Sequence, residues 1–323
     1  MENDLNISIQ GFNSKHVAKE IGNLTLEVIK ALDNKYALDI TKLRQVIISC
    51  DFPAALAKIA SEFNHQSSPT FTNSKQATAI AQLLIKSSGS SQPLEYALVL
   101  CVNFFSDIIN SDGSVSLDNV APVIHRIHHE LVHVHEMNIN SLDQSRLIDD
   151  FDDAFLITSK SAWSEYLANC MSSPSATDDN INIVLNTLEA TLNDVPNEIE
   201  DLINNYQAGL LPLDTMYNSV SKRIRLIANM YGYAQGYIHT LDIDMDSHFP
   251  TLLKLLSSSK LAEQLSNLGE AFTSIKVKFD LSGLDDFDDF GLAKNAIISI
   301  YDSFGLRIER NIEPGMGLYI HVC

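Results

Sequence analysis

The stretch Ile124–Glu136 reads IHRIHHELVHVHE and holds five of the ten histidines in the chain. It contains an HExxH motif from His129 to His133. Residues four apart lie on one face of an α-helix, about one turn apart, so both imidazoles can reach one tetrahedral Zn²⁺. Glu130 is displaced by about 100° around the helix, beside the open coordination site. The stretch therefore predicts a metal-binding helix with Glu130 as the general base that takes a proton from water.

The helical wheel of this stretch separates two faces. The apolar face, which is expected to pack on a sheet, consists of Ile124, Ile127, Leu131 and Val134. The opposite face, which is expected to line a cleft, carries His125, His129, His133 and Glu136. His125 and His129 share the four-residue spacing, but Arg126 follows His125 where the general base belongs. The pattern favours the pair His129 and His133, and a solvated histidine-rich helix is the structural alternative.

A catalytic zinc site of this kind needs a third protein ligand. A continuation with Gly at position 136 and His at position 139 is excluded, because those residues are Glu136 and Ile139. The other common source is a Glu on a following helix, and Ser161–Asn169 (SAWSEYLAN) offers Glu165. Trp163, the only tryptophan, is expected to pack beside it. The alternative is that Glu165 is a surface residue of an amphipathic helix.

These motifs resemble the zincin metallopeptidases of the gluzincin type, and most nearly the compact cytoplasmic ImmA/IrrE-like zincins. The resemblance covers the two motif helices and the elements before them, roughly Gln45 to Met171. It implies a zinc ion as cofactor and Glu130 as the general base. The zinc ligands that it implies are His129, His133 and Glu165.

The resemblance has further implications around the metal. Asn169 stands where thermolysin-like enzymes have Asp, so its carbonyl would accept Nδ1–H of a ligand histidine without a charge. Zincins often stabilise the oxyanion with a Tyr or His, which makes Tyr233 and His239 candidates; tyrosines at this spacing also occur as core residues. The strand Tyr96–Phe105 would be the sheet edge that binds extended substrate, although its apolarity also fits a central strand.

Around the motif, the alternation of periodicities predicts an α+β fold. The predicted strands are Asn6–Gln10, Gln45–Cys50, Ala77–Ile85, Tyr96–Phe105 and a C-terminal hairpin of Gly305–Ile312 and Gly317–Val322. The predicted helices are Ser14–Leu32, Pro53–Phe63, one beginning near Asp118, Asp143–Met171, Asp178–Val195, Pro196–Gln207, Asp214–Thr240 and Pro250–Leu268. We expect a zincin-like mixed sheet with the active-site helix over residues 1–140. A mainly helical subdomain over residues 141–323 would supply the third ligand.

Composition limits the classes of partner. The chain has 323 residues, of which 45% are hydrophobic, enough for a substantial core. The net charge of -19 argues against nucleic acid and anionic membrane surfaces. The four cysteines are isolated, which is typical of free thiols in a reducing compartment. With no visible signal peptide and no apolar run long enough to span a bilayer, a cytoplasmic protein is expected.

Together, these features predict a zinc-dependent metallopeptidase that hydrolyses peptide bonds of an intracellular protein or peptide. The alternative is a non-catalytic regulatory or binding protein on a zincin scaffold. The two differ in the fourth coordination position, which an enzyme leaves open. In the alternative a fourth protein ligand closes the site, and His125 is the nearest candidate.

Overall fold

The computed structural model describes residues 5–65, 79–87, 93–142, 149–311 and 317–323. It has a mixed α+β fold with more helix than strand. Its strands are β1 (Asn6–Gln10), β2 (Leu43–Ser49), β3 (Ala81–Ser87), β4 (Pro93–Cys101), β5 (Leu306–Arg310) and β6 (Leu318–Val322). Its helices are α1 (Lys15–Tyr36), α2 (Phe52–Glu62), α3 (Ala121–Ile139), α4 (Asp150–Asp152), α5 (Thr158–Ser172), α6 (Asp178–Gln207), α7 (Leu213–Thr240), α8 (Met245–His248), α9 (Pro250–Ser258), α10 (Ala262–Ser282) and α11 (Gly291–Ser303).

The chain divides into two compact units. The first unit comprises Met1–Ser141 with Met171–Asn180, and the second comprises Leu142–Cys170 with Ile181–Cys323. The first unit contains the four-stranded sheet and helix α3. The second contains Glu165 and helices α7 to α11.

The sheet of the first unit has the strand order β1-β2-β4-β3. Strand β2 pairs in parallel with both β1 and β4, whereas β3 pairs antiparallel with β4 at the edge. Helix α2 packs on the sheet through an apolar cluster of Ile47, Phe52, Ala55, Leu56, Ile59, Phe63, Leu84, Ala97 and Val99. Burial of this cluster removes apolar surface from water and so stabilises the sheet layer.

Strand β4 differs from the predicted strand Tyr96–Phe105 in its length and in its position within the sheet. The strand ends at Cys101, and Val102–Phe105 forms a turn of 3₁₀-helix instead. It lies between β2 and β3, so it is an interior strand and not the predicted edge. Residues Tyr96 to Leu100 are all buried, which explains their apolarity, since an interior strand is covered on both faces. The edge on that side is β3.

Helix α3 begins at Ala121, three residues after the predicted start, with Pro122 in its first turn. It packs against α1 and β3 of the same unit. Ile127, Leu131 and Val134 of the predicted apolar face are buried. On the opposite face, His125 and Glu136 are buried as well. His133 on the same face is partly exposed, and the lining of a cleft by this face stays a prediction.

Three helical predictions of the second half also need correction. Helix α6 is continuous through Pro196, where two helices were expected. The residues around this proline, Leu192, Val195 and Ile199, are buried, and their burial offsets the backbone hydrogen bond that proline cannot make. The segment predicted as Pro250–Leu268 forms two helices, α9 and α10.

Trp163 lies at the centre of the second unit's aromatic core. Its ring centroid is 5.5 Å from that of Phe279 and 5.8 Å from that of Phe290, both in edge-on arrangements. The side chain is fully buried. Because such pairs add to the stabilisation from area alone, Trp163 fixes α5 against α10 and the segment before α11.

Strands β5 and β6 pair antiparallel, as the predicted hairpin requires. The part of the predicted hairpin at 312–316 lies outside the described residues. Within the ranges that the structure describes, no helix combines the length and the apolarity needed to cross a lipid bilayer.

Candidate metal centre

His129 and His133 face each other on α3. Their Nε2 atoms are 3.1 Å apart, and their ring centroids are 4.8 Å apart with an interplanar angle of 83°. Two nitrogens bound to one tetrahedral Zn²⁺ at bonds of about 2.0–2.1 Å lie about 3.3 Å from each other. The observed separation is close to this value. The separation of the two Nε2 atoms is therefore compatible with both binding a single ion.

Glu165 completes a group of three. One nitrogen of each histidine and one carboxylate oxygen of Glu165 all lie within 4.8 Å of one another. His129 is buried, whereas His133 and Glu165 are partly exposed, and the Glu165 Oε2 atom is itself buried. Two imidazole nitrogens and one carboxylate oxygen form a donor set that fits Zn²⁺ and leaves a fourth tetrahedral position. These are the three residues that the sequence predicts as ligands.

Helix α5, which carries Glu165, is held tightly by α7. A Cβ atom on Gly232 would lie 2.1 Å from the carbonyl oxygen of Ala162, and one on Gly236 would lie 2.6 Å from that of Tyr166. Real Cβ atoms do not approach backbone this closely, so only glycine permits the contact. Ala162 and Tyr166 flank Glu165 in sequence, and the two glycines therefore fix the backbone on either side of it.

Glu130 lies on α3 directly after His129 and is partly exposed. Its neighbour His129 is 7% exposed. A carboxylate that is partly exposed to solvent beside a buried histidine is suitably placed to exchange protons with water. Its role as a general base stays a prediction.

His125 and His128 are directed at a different group, the hydroxyl of Ser175. The Oγ atom of Ser175 lies 3.2 Å from Nδ1 of His125 and 2.8 Å from Nδ1 of His128, and it donates to the carbonyl of Ser172. Burial lowers the pKa of His125 to about 3 and that of His128 to about 4, so both rings are neutral at pH 7. His125 is not part of the ligand group. These two histidines hold the turn after α5, a role that spacing on α3 does not reveal.

Tyr233 and His239, the predicted oxyanion residues, both lie on α7. Tyr233 is partly exposed, and its backbone carbonyl accepts a hydrogen bond from the amide of Asn169 at 2.8 Å. The ring of His239 contacts the Tyr166 hydroxyl at 3.2 Å and the Gln235 amide at 2.7 Å. Burial lowers the pKa of His239. Their action on an oxyanion stays a prediction.

The tyrosines beside them on α7 are core residues. Tyr231 and Tyr237 are buried, and burial raises the pKa of both hydroxyls far above its usual range. This corresponds to the alternative that the sequence left open for aromatic residues at this spacing.

Asn169 was expected to contact a ligand histidine through its carbonyl. Its Nδ2 atom donates to the Tyr233 carbonyl, which fixes the orientation of the amide. Glu136 lies on the predicted histidine face and is the alternative ligand to Glu165 in the sequence, together with the run Asp149–Asp153; the structure buries its carboxylate close to His133. The signal that could have singled it out is its position three residues after a ligand histidine, on the same face.

Comparison of the chain with models of protein families, with curated proteins and with solved structures finds no match. The resemblance to zincins therefore rests on the motif residues and on the arrangement of their side chains.

Proposed function

We propose that this protein is a zinc-dependent metallopeptidase that hydrolyses peptide bonds of a protein or peptide in the cytoplasm. The observation that carries the proposal is the group of His129, His133 and Glu165, whose ligand atoms lie within 4.8 Å of one another. Three protein ligands with an open fourth position are typical of catalytic zinc, whereas structural zinc has four. The HExxH motif adds a carboxylate in sequence next to the first ligand.

Each residue of the proposed site would have a distinct role in peptide-bond hydrolysis. Bound zinc would supply Lewis acidity that polarises a peptide carbonyl and acidifies water. Glu130 would accept the proton of the attacking water and deliver it to the departing amine, so that one carboxylate acts first as base and then as acid. His129, His133 and Glu165 would fix the ion on helices α3 and α5. Tyr233 and His239 stay candidates for stabilising the oxyanion.

The net charge supports a protein or peptide as the substrate, and the free cysteines support the cytoplasm as the compartment. A chain with a net charge of -19 is poorly suited to nucleic acid or an anionic membrane. All four cysteines are free thiols, and Cys50 and Cys323 are exposed, which fits a reducing compartment. A protein or peptide substrate is therefore favoured over a nucleic acid or a lipid.

One observation favours a second candidate, a regulatory or binding protein that holds its metal for stability. His129 and the neighbouring His125 and Glu136 are at most 7% exposed, and a buried site suits a structural ion. The two candidates differ in the consequence of losing Glu130. An enzyme needs this carboxylate, whereas a metal-stabilised scaffold does not.

The test compares wild-type protein with the Glu130→Gln variant, each loaded with zinc and incubated with a cell lysate. New N-termini are then quantified by mass spectrometry. Removing a general base slows hydrolysis by about 10²–10⁴-fold, so cleavage products should appear only with the wild type. Bound zinc should be equal in both proteins.

The matched control is Glu27→Gln, the same chemical change at an exposed position of α1. It should cleave like the wild type. If wild type and Glu130→Gln produce the same set of N-termini, or if wild type produces none while binding zinc, the peptidase proposal is wrong and the second candidate is favoured.

A further inference from the structure

Glu136 is a buried carboxylate on α3, in the helical turn that follows His133. It is 1% exposed. Burying a carboxylate costs free energy unless charged or hydrogen-bonding partners compensate it. The groups in contact with the Glu136 carboxylate therefore indicate its role.

The carboxylate is oriented by contacts at both oxygens. Its Oε1 atom accepts a hydrogen bond from the amide of Asn140 at 3.4 Å. Its Oε2 atom lies 3.9 Å from Nδ1 of His133. Burial raises the pKa of Tyr96, and the nearby charges of Asp39 and Glu136 raise it further. Asn140 thus holds one oxygen, and the other faces the histidine ring.

The two nitrogens of the His133 ring have different surroundings. Nε2 lies 3.1 Å from Nε2 of His129, at the candidate metal centre. Nδ1, on the other side of the ring, lies 3.9 Å from Oε2 of Glu136. A neutral imidazole carries one proton, so Nε2 can bind a metal only when that proton is on Nδ1. An acceptor for Nδ1–H selects this tautomer.

The distance allows such a hydrogen bond after a small adjustment. The separation of 3.9 Å exceeds an ordinary N–H···O distance by about 1 Å. A change of that size needs only a small rotation of the imidazole or of the glutamate side chain. Both groups are on one helix, three residues apart, so no movement of the backbone is required.

We propose that Glu136 is a positioning residue for His133: its carboxylate accepts the Nδ1–H hydrogen bond, fixes the metal-binding tautomer and raises the basicity of Nε2. This inference rests on the metal centre of the proposed function. The charged acceptor would then lie on α3, three residues after His133, whereas the corresponding position on α5 holds the uncharged Asn169. A ligand histidine with a carboxylate partner binds metal more tightly than one without.

The experiment measures zinc affinity by competition with a chromophoric chelator for wild type, Glu136→Gln and Glu136→Ala. Loss of such a partner lowers metal affinity by about 10–100-fold. We expect a loss of about tenfold in Glu136→Gln, which keeps the shape and a neutral acceptor, and a larger loss in Glu136→Ala. Should Glu136→Ala fail to fold, the isosteric Gln variant carries the test.

A matched control separates positioning from general stability. Asp152 is also a buried carboxylate, at 5% exposure, and it forms an ion pair with Arg310. Asp152→Asn should lower the urea midpoint of unfolding and leave zinc affinity unchanged. A second readout is the ¹H–¹⁵N spectrum of histidine-labelled, zinc-loaded protein. The strongly downfield Nδ1–H resonance of a ligand histidine should be present in wild type and shift upfield in Glu136→Gln.

Each outcome has a distinct meaning. If wild type binds zinc while Glu136→Gln keeps both the affinity and the resonance, the positioning role is refuted and the peptidase proposal stands. If Asp152→Asn loses affinity to the same extent, the effect of Glu136 is structural and the role is refuted as well. If wild type itself binds no zinc, the proposed function fails, and the inference fails with it.

Discussion

Replacing Gly232 by alanine tests how strongly α7 fixes the helix that carries Glu165. A Cβ atom at this position would lie 2.1 Å from the backbone oxygen of Ala162, and ordinary contacts begin at about 3.4 Å. Helices α5 and α7 must therefore separate locally by about 1.3 Å in Gly232→Ala. The obstacle is a carbonyl group of the backbone, so no change of rotamer relieves it.

The expected loss of stability follows from two opposing terms. Overpacking in a tightly packed interior lowers the free energy of unfolding by about 1–3 kcal/mol. The upper end of this range applies here, because the added Cβ atom meets rigid backbone. Alanine in a helix interior gains up to about 1 kcal/mol over glycine. The net loss is about 2 kcal/mol in the free energy of unfolding, or roughly a 30-fold change in the ratio of folded to unfolded protein. Zinc affinity should fall too, because Glu165 is three residues from Ala162.

Urea unfolding monitored by the fluorescence of Trp163 measures this loss as a lower midpoint with an unchanged slope. The control is Gly291→Ala at the start of α11, where a Cβ atom meets nothing within 4 Å. It should be neutral or slightly stabilising. Equal midpoints for Gly232→Ala and Gly291→Ala would refute the close contact between α5 and α7.

Three further predictions concern the neighbourhood of the motif helix. Glu165→Ala should lose most of its zinc while staying folded, as measured by metal analysis after gel filtration; a full equivalent of zinc would remove Glu165 from the ligand set. Ser175→Ala should lower the free energy of unfolding by about 1–3 kcal/mol, because the buried Nδ1 of His128 loses its partner; an unchanged midpoint would contradict this. Because burial lowers the pKa values of His125 and His128 to about 3 and about 4, the unfolded state binds more protons below about pH 6.5. Metal-free protein should therefore be fully stable above pH 6.5 and lose on the order of 1–2 kcal/mol per histidine by pH 5; equal urea midpoints at pH 7 and pH 5 would refute the burial of the neutral rings.

The elements that the sequence predicted best are those with a strong local pattern. Strand β1 has the predicted bounds, Asn6–Gln10, since apolar and polar residues alternate through it. Helix α3 follows from the spacing of its apolar residues. The pairing of His129 and His133 follows from the same helical period, which explains why the sequence could place both residues on one face.

The corrections fall where tertiary burial overrides local preference. Pro196 is a helix breaker by its own chemistry, yet α6 continues because buried residues on both sides fix it. Val102–Phe105 has strand-like composition but turns into a 3₁₀-helix. The contact of His125 and His128 with Ser175 joins residues 47 to 50 positions apart, and no local pattern encodes it. Glu165 could be proposed because its helix has a recognisable motif, but its proximity to the histidines is a property of the folded chain.

The most direct test of the central claim is a crystal structure of zinc-loaded protein with diffraction data collected above and below the zinc absorption edge. We expect one anomalous peak bonded to Nε2 of His129, Nε2 of His133 and a carboxylate oxygen of Glu165. The bonds should be about 2.0–2.2 Å long, and no other side chain should occupy the fourth position. An absent peak, a peak elsewhere in the molecule, or a fourth protein ligand such as His125 would contradict the proposed catalytic metal centre.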